Sequence, residues 1–232
     1  MTAPPPLPLI VAIDGPSGTG KSSVSRAVAA ALGLPYLDTG AMYRALTWWC
    51  LEQGIDLADT VAVAAAAAQL PLQMGMDPTA VSVQVAGREV EALLRESRIS
   101  HVVSQVATNL AVRAELIRRQ QQLIATAADS AGGVVAEGRD ITTVVAPDAP
   151  VRLLLVADER ARLARRAAQL HGQSDSSHLD HVRDEVLRRD RDDSRVAEFQ
   201  TPASGVTLVD SSHLDFEQTV ARVLTIIKEL RP

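Results

Sequence analysis

The chain carries the stretch Gly15-Pro16-Ser17-Gly18-Thr19-Gly20-Lys21-Ser22 near its beginning. Two glycines are separated by four residues and followed by Lys-Ser. In such a loop, successive backbone N–H groups turn inward around phosphate oxygens, and glycine is needed where a side chain would block the approach. The lysine reaches the β- and γ-phosphates, and the serine hydroxyl can ligate Mg²⁺. The stretch therefore predicts a nucleoside triphosphate site.

The residues on either side of this loop support that interpretation. Residues 7–13 form an apolar run typical of a buried strand, and residues 22–32 have the pattern of an amphipathic helix that ends at Gly33. The positive end of this helix points at the same anions. The phosphates are therefore expected at Gly15, Pro16, Ser17, Gly18, Thr19, Gly20, Lys21, Ser22 and Ser23.

Length, net charge and cysteine content limit the classes of protein to which the chain can belong. A chain of 232 residues with 47% apolar and 22% charged residues is long enough for one α/β core with a small insertion. A net charge of −5 disfavours nonspecific electrostatic binding to nucleic acid. One cysteine, Cys50, allows no internal disulfide, and no apolar run has the length of a membrane span. We expect a cytoplasmic monomer that binds neither nucleic acid nor membranes.

Short apolar runs alternate with helical patterns along the chain, which predicts an α/β fold with a five-stranded parallel sheet covered on both faces. Most of these runs end in or next to an acidic residue. In parallel sheets, ligands bind beyond the carboxyl ends of the strands, where these polar residues are expected to gather. The predicted strands are residues 9–13, 35–37, 133–136, 151–156 and 206–209.

About 95 residues separate the second and third predicted strands, far more than one crossover helix needs. Within them, residues 81–85 alternate strictly between apolar and polar, and residues 72–76 are a plausible antiparallel partner. The spacing predicts a small antiparallel element inserted in an α/β core, followed by a long helix over about residues 111–127. We expect a single domain over residues 1–232, with its core in residues 7–40, 105–158 and 205–232.

Residues 159–196 are helical in pattern and dense in arginine, with a polar break at residues 172–177. One interpretation is two solvated helix faces with acidic partners. The other is a lid that closes over phosphates, a task that suits arginine because its planar fork grips two oxygens and is always charged. Arg162, Arg165, Arg188 and Arg195 belong to this segment.

Other parts of the sequence distinguish among the classes that share a phosphate loop. GTPase switches read guanine with an Asn-Lys-x-Asp segment, which the chain lacks, since its second lysine is Lys228. Larger ATPases end a strand of four aliphatic residues in Asp or Asp-Glu, whereas residues 134–140 read Val-Val-Ala-Glu-Gly-Arg-Asp. Small-molecule kinases place a second binding cup opposite the loop. Residues 38–44, Asp-Thr-Gly-Ala-Met-Tyr-Arg, have the outline of such a cup.

Several blocks resemble the bacterial cytidylate kinase family of P-loop nucleoside monophosphate kinases. Residues 38–44 and the Glu-Gly-Arg-Asp of residues 137–140 are the narrow motifs, whereas the phosphate loop alone is unspecific. The matching blocks are residues 13–21, 37–44, 104–107, 112–113, 137–145 and 206–212. Bacterial members of that family also carry a β-rich insertion, here near residues 66–104 within an acceptor region of residues 41–104.

The resemblance implies a P-loop NTPase three-layer fold, transfer of the γ-phosphoryl group of ATP to CMP or dCMP, and Mg²⁺ at Ser22. It implies that Lys21, Arg139 and the lid residues Arg162 and Arg165 act on the moving phosphoryl group. Residues around cytosine would be Thr39, Ser104, Arg113 and Asp140. Residues holding the acceptor's phosphate and sugar would be Arg44, Arg139, Arg188, Asp192 and Arg195.

The segment after residue 188 departs from the family pattern. The run Arg188-Arg189-Asp190-Arg191-Asp192-Asp193-Ser194-Arg195 admits two registers, so either Asp192 or Asp193 could contact the sugar. Residues 198–202, Glu-Phe-Gln-Thr-Pro, replace the family's Ser-Pro-Leu.

Other interpretations stay open at this point. Asp38 and Thr39 could be a helix N-cap alone, and Arg139-Asp140 a helix start. The chain could use another small acceptor, or it could be a nucleotide-dependent switch.

Overall fold

The computed structural model describes residues 7–171, 188 and 190–231. Its centre is a five-stranded sheet in which every neighbouring pair is parallel. The predicted parallel sheet is therefore confirmed. The strands lie in the order β2-β6-β1-β7-β8, and their bounds are β1 Leu9–Asp14, β2 Tyr36–Asp38, β6 Gly133–Gly138, β7 Val151–Val156 and β8 Thr207–Asp210.

Eight helices with both ends in the described part of the chain accompany the sheet, in addition to the helical residues 190–193. Local signals fix several of their ends: the Asn109 side chain caps one helix, and Asp215 with Gln218 forms a capping box on another. The helices are α1 Lys21–Leu32, α2 Thr39–Glu52, α3 Thr60–Gln69, α4 Ser97–Ser100, α5 Val103–Ala107, α6 Leu110–Ala131, α7 Glu159–His171 and α8 Phe216–Leu230. A 3₁₀ turn spans Glu91–Arg95, and a π-helical turn spans Ile141–Val145.

Alternating residues of the central strand β1 bury two apolar layers. Val11 and Ile13 pack in a cluster with residues of α1 and α8, including Val28 and Ile226. Ala12 points to the opposite face, into a larger cluster built from α2, α3 and α6. Successive side chains of a strand point to opposite faces, so this sheet is covered on both sides and the fold has three layers.

The predicted antiparallel element forms a separate three-stranded sheet of β3 Leu72–Gly75, β4 Ser82–Val85 and β5 Arg88–Glu89. The two strands predicted from alternation are confirmed, with Met74 opposite Val83. The two-residue strand β5 was not predicted, because it is too short to show a period. Val83 and Val85 are fully buried against the α2 side of the core, which attaches the insertion to the rest of the molecule.

Only part of the predicted arginine lid belongs to the described chain. Helix α7 covers its first half, and residues 190–193 are again helical. Residues 172–187 and 189, including the predicted polar tip, lie outside the described residues. Among residues 7–171, 188 and 190–231, no helix is long and apolar enough to cross a bilayer.

Candidate active site

The glycine loop connects the end of β1 to the start of α1, and two of its glycines stand where no side chain fits. A Cβ on Gly15 would lie 2.1 Å from the carbonyl oxygen of Leu155, and a Cβ on Gly18 would lie 2.7 Å from that of Arg162. Gly18 and Gly20 also adopt positive φ, at 77° and 86°. The loop therefore packs tightly between β7 and α7, with a backbone conformation that other residues rarely adopt.

Short-range hydrogen bonds fix the shape of this loop. The Thr19 hydroxyl donates to the Pro16 carbonyl oxygen (3.1 Å), and the Lys21 ammonium donates to the same atom (3.0 Å). Lys21 also lines a cavity next to the loop. An ammonium at the mouth of a helix N-terminus provides positive charge for phosphate.

A cavity of about 480 Å³ opens at the carboxyl ends of the strands, next to the loop. One side is lined by loop residues and, beyond them, by the segment Leu214, Asp215, Phe216 and Thr219. The opposite side is lined by acceptor-cup residues, which are Thr39, Gly40, Tyr43, Arg44, Arg113 and Asp140. One cavity therefore joins the predicted donor loop to the predicted acceptor cup.

Asp38 and Arg44 form the entrance to the acceptor cup from β2 and α2. The Asp38 carboxylate caps α2 by accepting from the Ala41 N–H (2.8 Å), and it pairs with Arg44 (3.0 Å). Arg95 of the 3₁₀ turn approaches the same carboxylate to 3.8 Å. Burial acts to raise the pKa of Asp38, but the charges of Arg44 and Arg95 hold it below its ordinary value. The Asp38 carboxylate therefore both caps α2 and holds the Arg44 guanidinium in place.

Arg113 of α6 pairs with Asp140 at the far end of the cup. Both side chains are almost fully buried. Burial raises the pKa of Asp140, while the Arg113 charge opposes this. Asp140 precedes the π-helical turn, but its side chain makes no cap hydrogen bond there. The carboxylate is therefore directed at Arg113, which does not support the helix-start interpretation.

Tyr43 stands beside this pair and was not singled out from the sequence. Its buried hydroxyl faces the Gln120 side chain of α6, but neither side chain makes a hydrogen bond of ordinary geometry. Burial raises the pKa of Tyr43 to about 12, while the Gln120 side chain acts to lower it. Buried polar groups that lack partners are costly, so the floor of the cup holds polar atoms that favour a polar ligand or ordered water.

Arg139 lies between the loop and the cup and has partners on both sides. Its guanidinium donates to the Gly15 carbonyl oxygen (3.0 Å) and the Ser17 hydroxyl (2.6 Å). It also pairs with the carboxylates of Asp190 (2.9 Å) and Asp193 (3.2 Å). A cation shared by the loop and the cup is suited to bind phosphate oxygens between two nucleotides.

Asp190 is the carboxylate that holds these cations, and no role was predicted for it from the sequence. Its carboxylate accepts from the Ser17 N–H (2.9 Å) and pairs with Arg162 (2.5 Å) as well as Arg139. Burial acts to raise its pKa, but the two arginines and the Ser17 N–H hold the pKa below its ordinary value. One carboxylate thus links α7 to the loop and contacts the same donors that were predicted to bind phosphate.

Arg165, the second predicted lid residue on α7, binds the loop through main-chain atoms. It donates to the carbonyl oxygens of Thr19 (3.0 Å), Ser211 (2.7 Å) and Leu214 (3.1 Å). It also lines the cavity on the donor side. Arg165 therefore joins α7, the loop and the segment before α8.

A buried carboxylate below the loop connects two segments of the site. Asp14, at the end of β1, accepts from the backbone N–H groups of Ile141 (2.9 Å) and Thr142 (2.8 Å) and from the Thr142 hydroxyl (2.6 Å). Burial raises its pKa to about 6, against the opposing effect of these hydrogen bonds. Asp14 therefore ties the strand before the loop to the turn that follows Arg139 and Asp140.

Glu137 stands next to Ser22 and is the residue that best fits the surroundings of a magnesium ion. It accepts from the Tyr36 hydroxyl (2.9 Å). Burial and the nearby Asp38 raise its pKa, while Lys21 and a hydrogen bond from Ser22 oppose this. Within the described residues no group of three or more His, Cys, Asp or Glu could enclose a metal. A hydroxyl with one carboxylate fits Mg²⁺, which is commonly held by few protein ligands together with substrate phosphates and water.

Five residues predicted from the resemblance are absent from the cavity lining, namely Ser104, Arg162, Arg188, Asp192 and Arg195. Ser104 is half-buried on α5 and its carbonyl accepts from the Thr108 hydroxyl. Arg188 is exposed. Arg195 is 70% exposed and pairs with Asp192 at 3.6 Å. Asp193 and Val196 lie in the cavity wall instead. The geometry therefore favours Asp193 among the two registers, while the roles of those five residues stay predictions.

The fold and this cavity define a class. A phosphate loop that faces a second binding cup across a shared arginine is the arrangement of a P-loop kinase, an ATP-dependent phosphotransferase. Comparison with known proteins identifies the family. Residues 11–229 match the family model described as cytidylate kinase, and the chain belongs to that family.

Individual relatives agree with this assignment. A cytidylate kinase of Streptomyces avermitilis is 45% identical over 224 residues, covering 96% of this chain and 94% of that protein. A cytidylate kinase of Cutibacterium acnes is 47% identical over 222 residues, covering 95% and 96%. A solved gluconokinase from Sinorhizobium meliloti 1021 has a TM-score of 0.51 at 17% identity, covering 97% of this chain and 95% of its own, and is similar in fold alone.

Proposed function

We propose that this protein transfers the γ-phosphoryl group of ATP to CMP or dCMP, giving ADP and the corresponding diphosphate. The observation that carries the proposal is a single cavity with the phosphate loop at one side and the Arg113–Asp140 pair at the other. Membership in the cytidylate kinase family supports the same reaction.

The donor binds along the loop. Backbone N–H groups within residues 15–23 (Pro16 has none), including those at the N-terminus of α1, donate to its phosphate oxygens, with Lys21 directed at the β- and γ-phosphates. The cavity continues past the loop to Leu214 and Phe216, which leaves room for the donor's base on that side. Ser22 and Glu137 are the residues that would hold Mg²⁺, which would neutralise phosphate charge.

The acceptor's base is read by the Arg113–Asp140 pair. Cytosine offers an exocyclic amino donor beside a ring nitrogen acceptor, and a carboxylate next to a guanidinium presents the complementary acceptor and donor. Uracil reverses the exocyclic position and would leave a buried charged group without its partner. A site built on buried hydrogen bonds rejects such an analogue strongly.

Transfer needs positioning and charge neutralisation rather than a covalent intermediate. Arg44 and Arg139 hold the acceptor's phosphate, and Lys21 with Arg162 and Arg165 stabilises charge on the moving group. Asp190 keeps Arg139 and Arg162 next to the loop, so two cations are already close to the position of transfer.

An acceptor panel tests the proposal directly. ADP release is measured with ATP and CMP, dCMP, UMP, AMP or GMP in turn, and without any acceptor. We expect turnover with CMP and dCMP well above that with the purine nucleotides. Equal or greater turnover with AMP or GMP would overturn the pyrimidine assignment. ATP consumption that does not depend on any acceptor would favour a nucleotide-dependent switch.

The proposal also places the protein in the cytoplasm as a monomer without a nucleic-acid partner. Its support is the net charge of −5 and the single cysteine. Sedimentation with and without added RNA checks the last two points, and a dimer or an RNA-dependent shift would contradict them.

A further inference from the structure

Phe199 is buried in a segment that is otherwise exposed. Its neighbours Glu198 and Gln200 face solvent, as do residues 201–205, yet Phe199 itself is 1% exposed. Neither of the two apolar clusters that flank the sheet includes it. Packing against the apolar clusters of the sheet therefore does not account for the burial of the Phe199 ring.

The ring covers one face of the Arg139 guanidinium, with the guanidinium carbon 4.3 Å from the ring centroid. The edge of the same guanidinium bonds the loop and the carboxylates of Asp190 and Asp193. In-plane hydrogen bonds fix the direction of the guanidinium, whereas stacking fixes its plane. An aromatic face also attracts the cation, most strongly where water is excluded.

The plane of Arg139 matters in this chain because two other arginines predicted to bind the acceptor's phosphate are turned away from the cavity. Arg195 is 70% exposed, and Arg188 is exposed. Bidentate binding of a phosphate needs a guanidinium held in one plane, which a lysine or a freely rotating arginine does not provide.

We propose that Phe199 is a positioning residue for the kinase reaction, which holds the Arg139 guanidinium in the plane that binds the acceptor's phosphate. This inference rests on the proposed function. It assigns a role to residues 198–202, the segment that departs from the family's Ser-Pro-Leu.

Two substitutions separate the aromatic face from the apolar volume. Phe199→Leu keeps apolar bulk and removes the face, and we expect about a tenfold loss in kcat/KM for CMP. Phe199→Tyr keeps the face, and its kcat/KM should stay within about twofold of wild type. KM for ATP should be unchanged in both. The midpoint of thermal unfolding is measured for each protein alongside the kinetics.

A double-mutant cycle with Arg139→Lys gives a readout that a purely structural role would not move. In the Arg139→Lys background, adding Phe199→Leu should change kcat/KM by less than about twofold, because the planar group is already gone. A full tenfold loss in that background would overturn the proposal. So would wild-type kinetics in Phe199→Leu, or equal losses in the Leu and Tyr variants.

Two further outcomes are distinguishable. If Phe199→Leu does not fold at the assay temperature, Phe199→Met takes its place, and unfolding of both would show that the ring supports the fold instead, which overturns the proposal. If wild type itself does not phosphorylate CMP, the proposed function fails. If wild type does so and the cycle is additive, only the inference fails.

Discussion

The phosphate loop and the acceptor cup bind the same kind of ligand but are built in opposite ways. The loop is one contiguous stretch whose internal hydrogen bonds join residues three to five positions apart, as from Thr19 and Lys21 to Pro16. The cup is assembled from side chains far apart in sequence: Arg113 meets Asp140 across 27 positions, and Thr39 donates to the Glu137 carbonyl across 98. The loop relies on backbone groups, and the cup on charged pairs.

This difference explains why the two regions carry different information. Backbone N–H groups are the same in every sequence, so the loop recognises phosphate and little else. Side-chain pairs distinguish one base from another, so acceptor choice depends on the cup. Four predictions test this division, from the largest expected effect to the smallest.

Removing the lysine of the loop should have the largest effect. Lys21→Met is expected to lower kcat with ATP and CMP about a thousandfold, because it removes a cation that stabilises charge on the moving phosphoryl group. Lys228→Met, which changes the other lysine in the last turn of α8, is the matched control and should leave kcat unchanged. A Lys21→Met enzyme within tenfold of wild type would contradict the role of the loop.

Asp14 links the two regions, and its titration tests that link. The native pKa of about 6 lies above the ordinary value of 3.8, so the unfolded chain releases this proton first as pH rises. Stability from this group is therefore present at low pH and lost as pH rises through about 6. Relative to Asp14→Asn, wild type should lose about 3 kcal/mol of unfolding free energy between about pH 3 and pH 7.

Urea unfolding of both proteins over that pH range provides the measurement. The absolute stability of Asp14→Asn does not matter here, because the comparison concerns the slopes. Parallel pH profiles would mean that Asp14 titrates at its ordinary value despite its burial.

Breaking the base-reading pair should affect the acceptor alone. Arg113→Met and Asp140→Ala are each expected to lower kcat/KM for CMP about a hundredfold, since the remaining buried group loses its partner. KM for ATP should change by less than about twofold, because neither side chain contacts the loop. Unchanged selectivity between CMP and UMP in both variants would show that the base binds elsewhere.

The smallest effect separates two neighbouring carboxylates. Asp193 lies in the cavity wall 3.2 Å from Arg139, whereas Asp192 is paired at the surface with Arg195. We expect Asp193→Asn to lower kcat/KM for CMP about tenfold and Asp192→Asn to change it less than twofold, consistent with the loss of one hydrogen bond to a charged group. A larger loss in Asp192→Asn than in Asp193→Asn would assign the sugar contact to Asp192 instead.

The sequence predicted local features well. It predicted the loop, four of the five core strands to within one residue, and the antiparallel pair of β3 and β4, because each has a short period or a motif of its own. The strand predicted at residues 133–136 extends to Gly138, since it continues pairing with β1 up to Asp14. Residues 38–44 were predicted as a second binding cup from their position after a strand, and family resemblance added residues 137–140; the structure brings both to one cavity.

Asp190, Phe199 and Tyr43 could not be singled out in the same way. Asp190 lies among charged residues whose carboxylates have no sequence pattern that separates buried from exposed ones. Its contacts with Ser17 and two arginines distinguish it from the neighbouring carboxylates. Phe199 lies in a polar segment without a period. Tyr43 is one aromatic residue in a helix of apolar residues, and its orphan hydroxyl is visible only once α6 packs beside it.

By itself, the sequence determined that this protein binds a nucleoside triphosphate on a strand–loop–helix unit, because glycine positions and a helix start are local requirements of the backbone. Tertiary structure decided which arginine and which carboxylate meet. Arg139 reaches Gly15 and Phe199 together because parallel strands end at the same edge of the sheet and the chain returns there after α7. Charged pairs over such separations depend on packing, which no local pattern encodes.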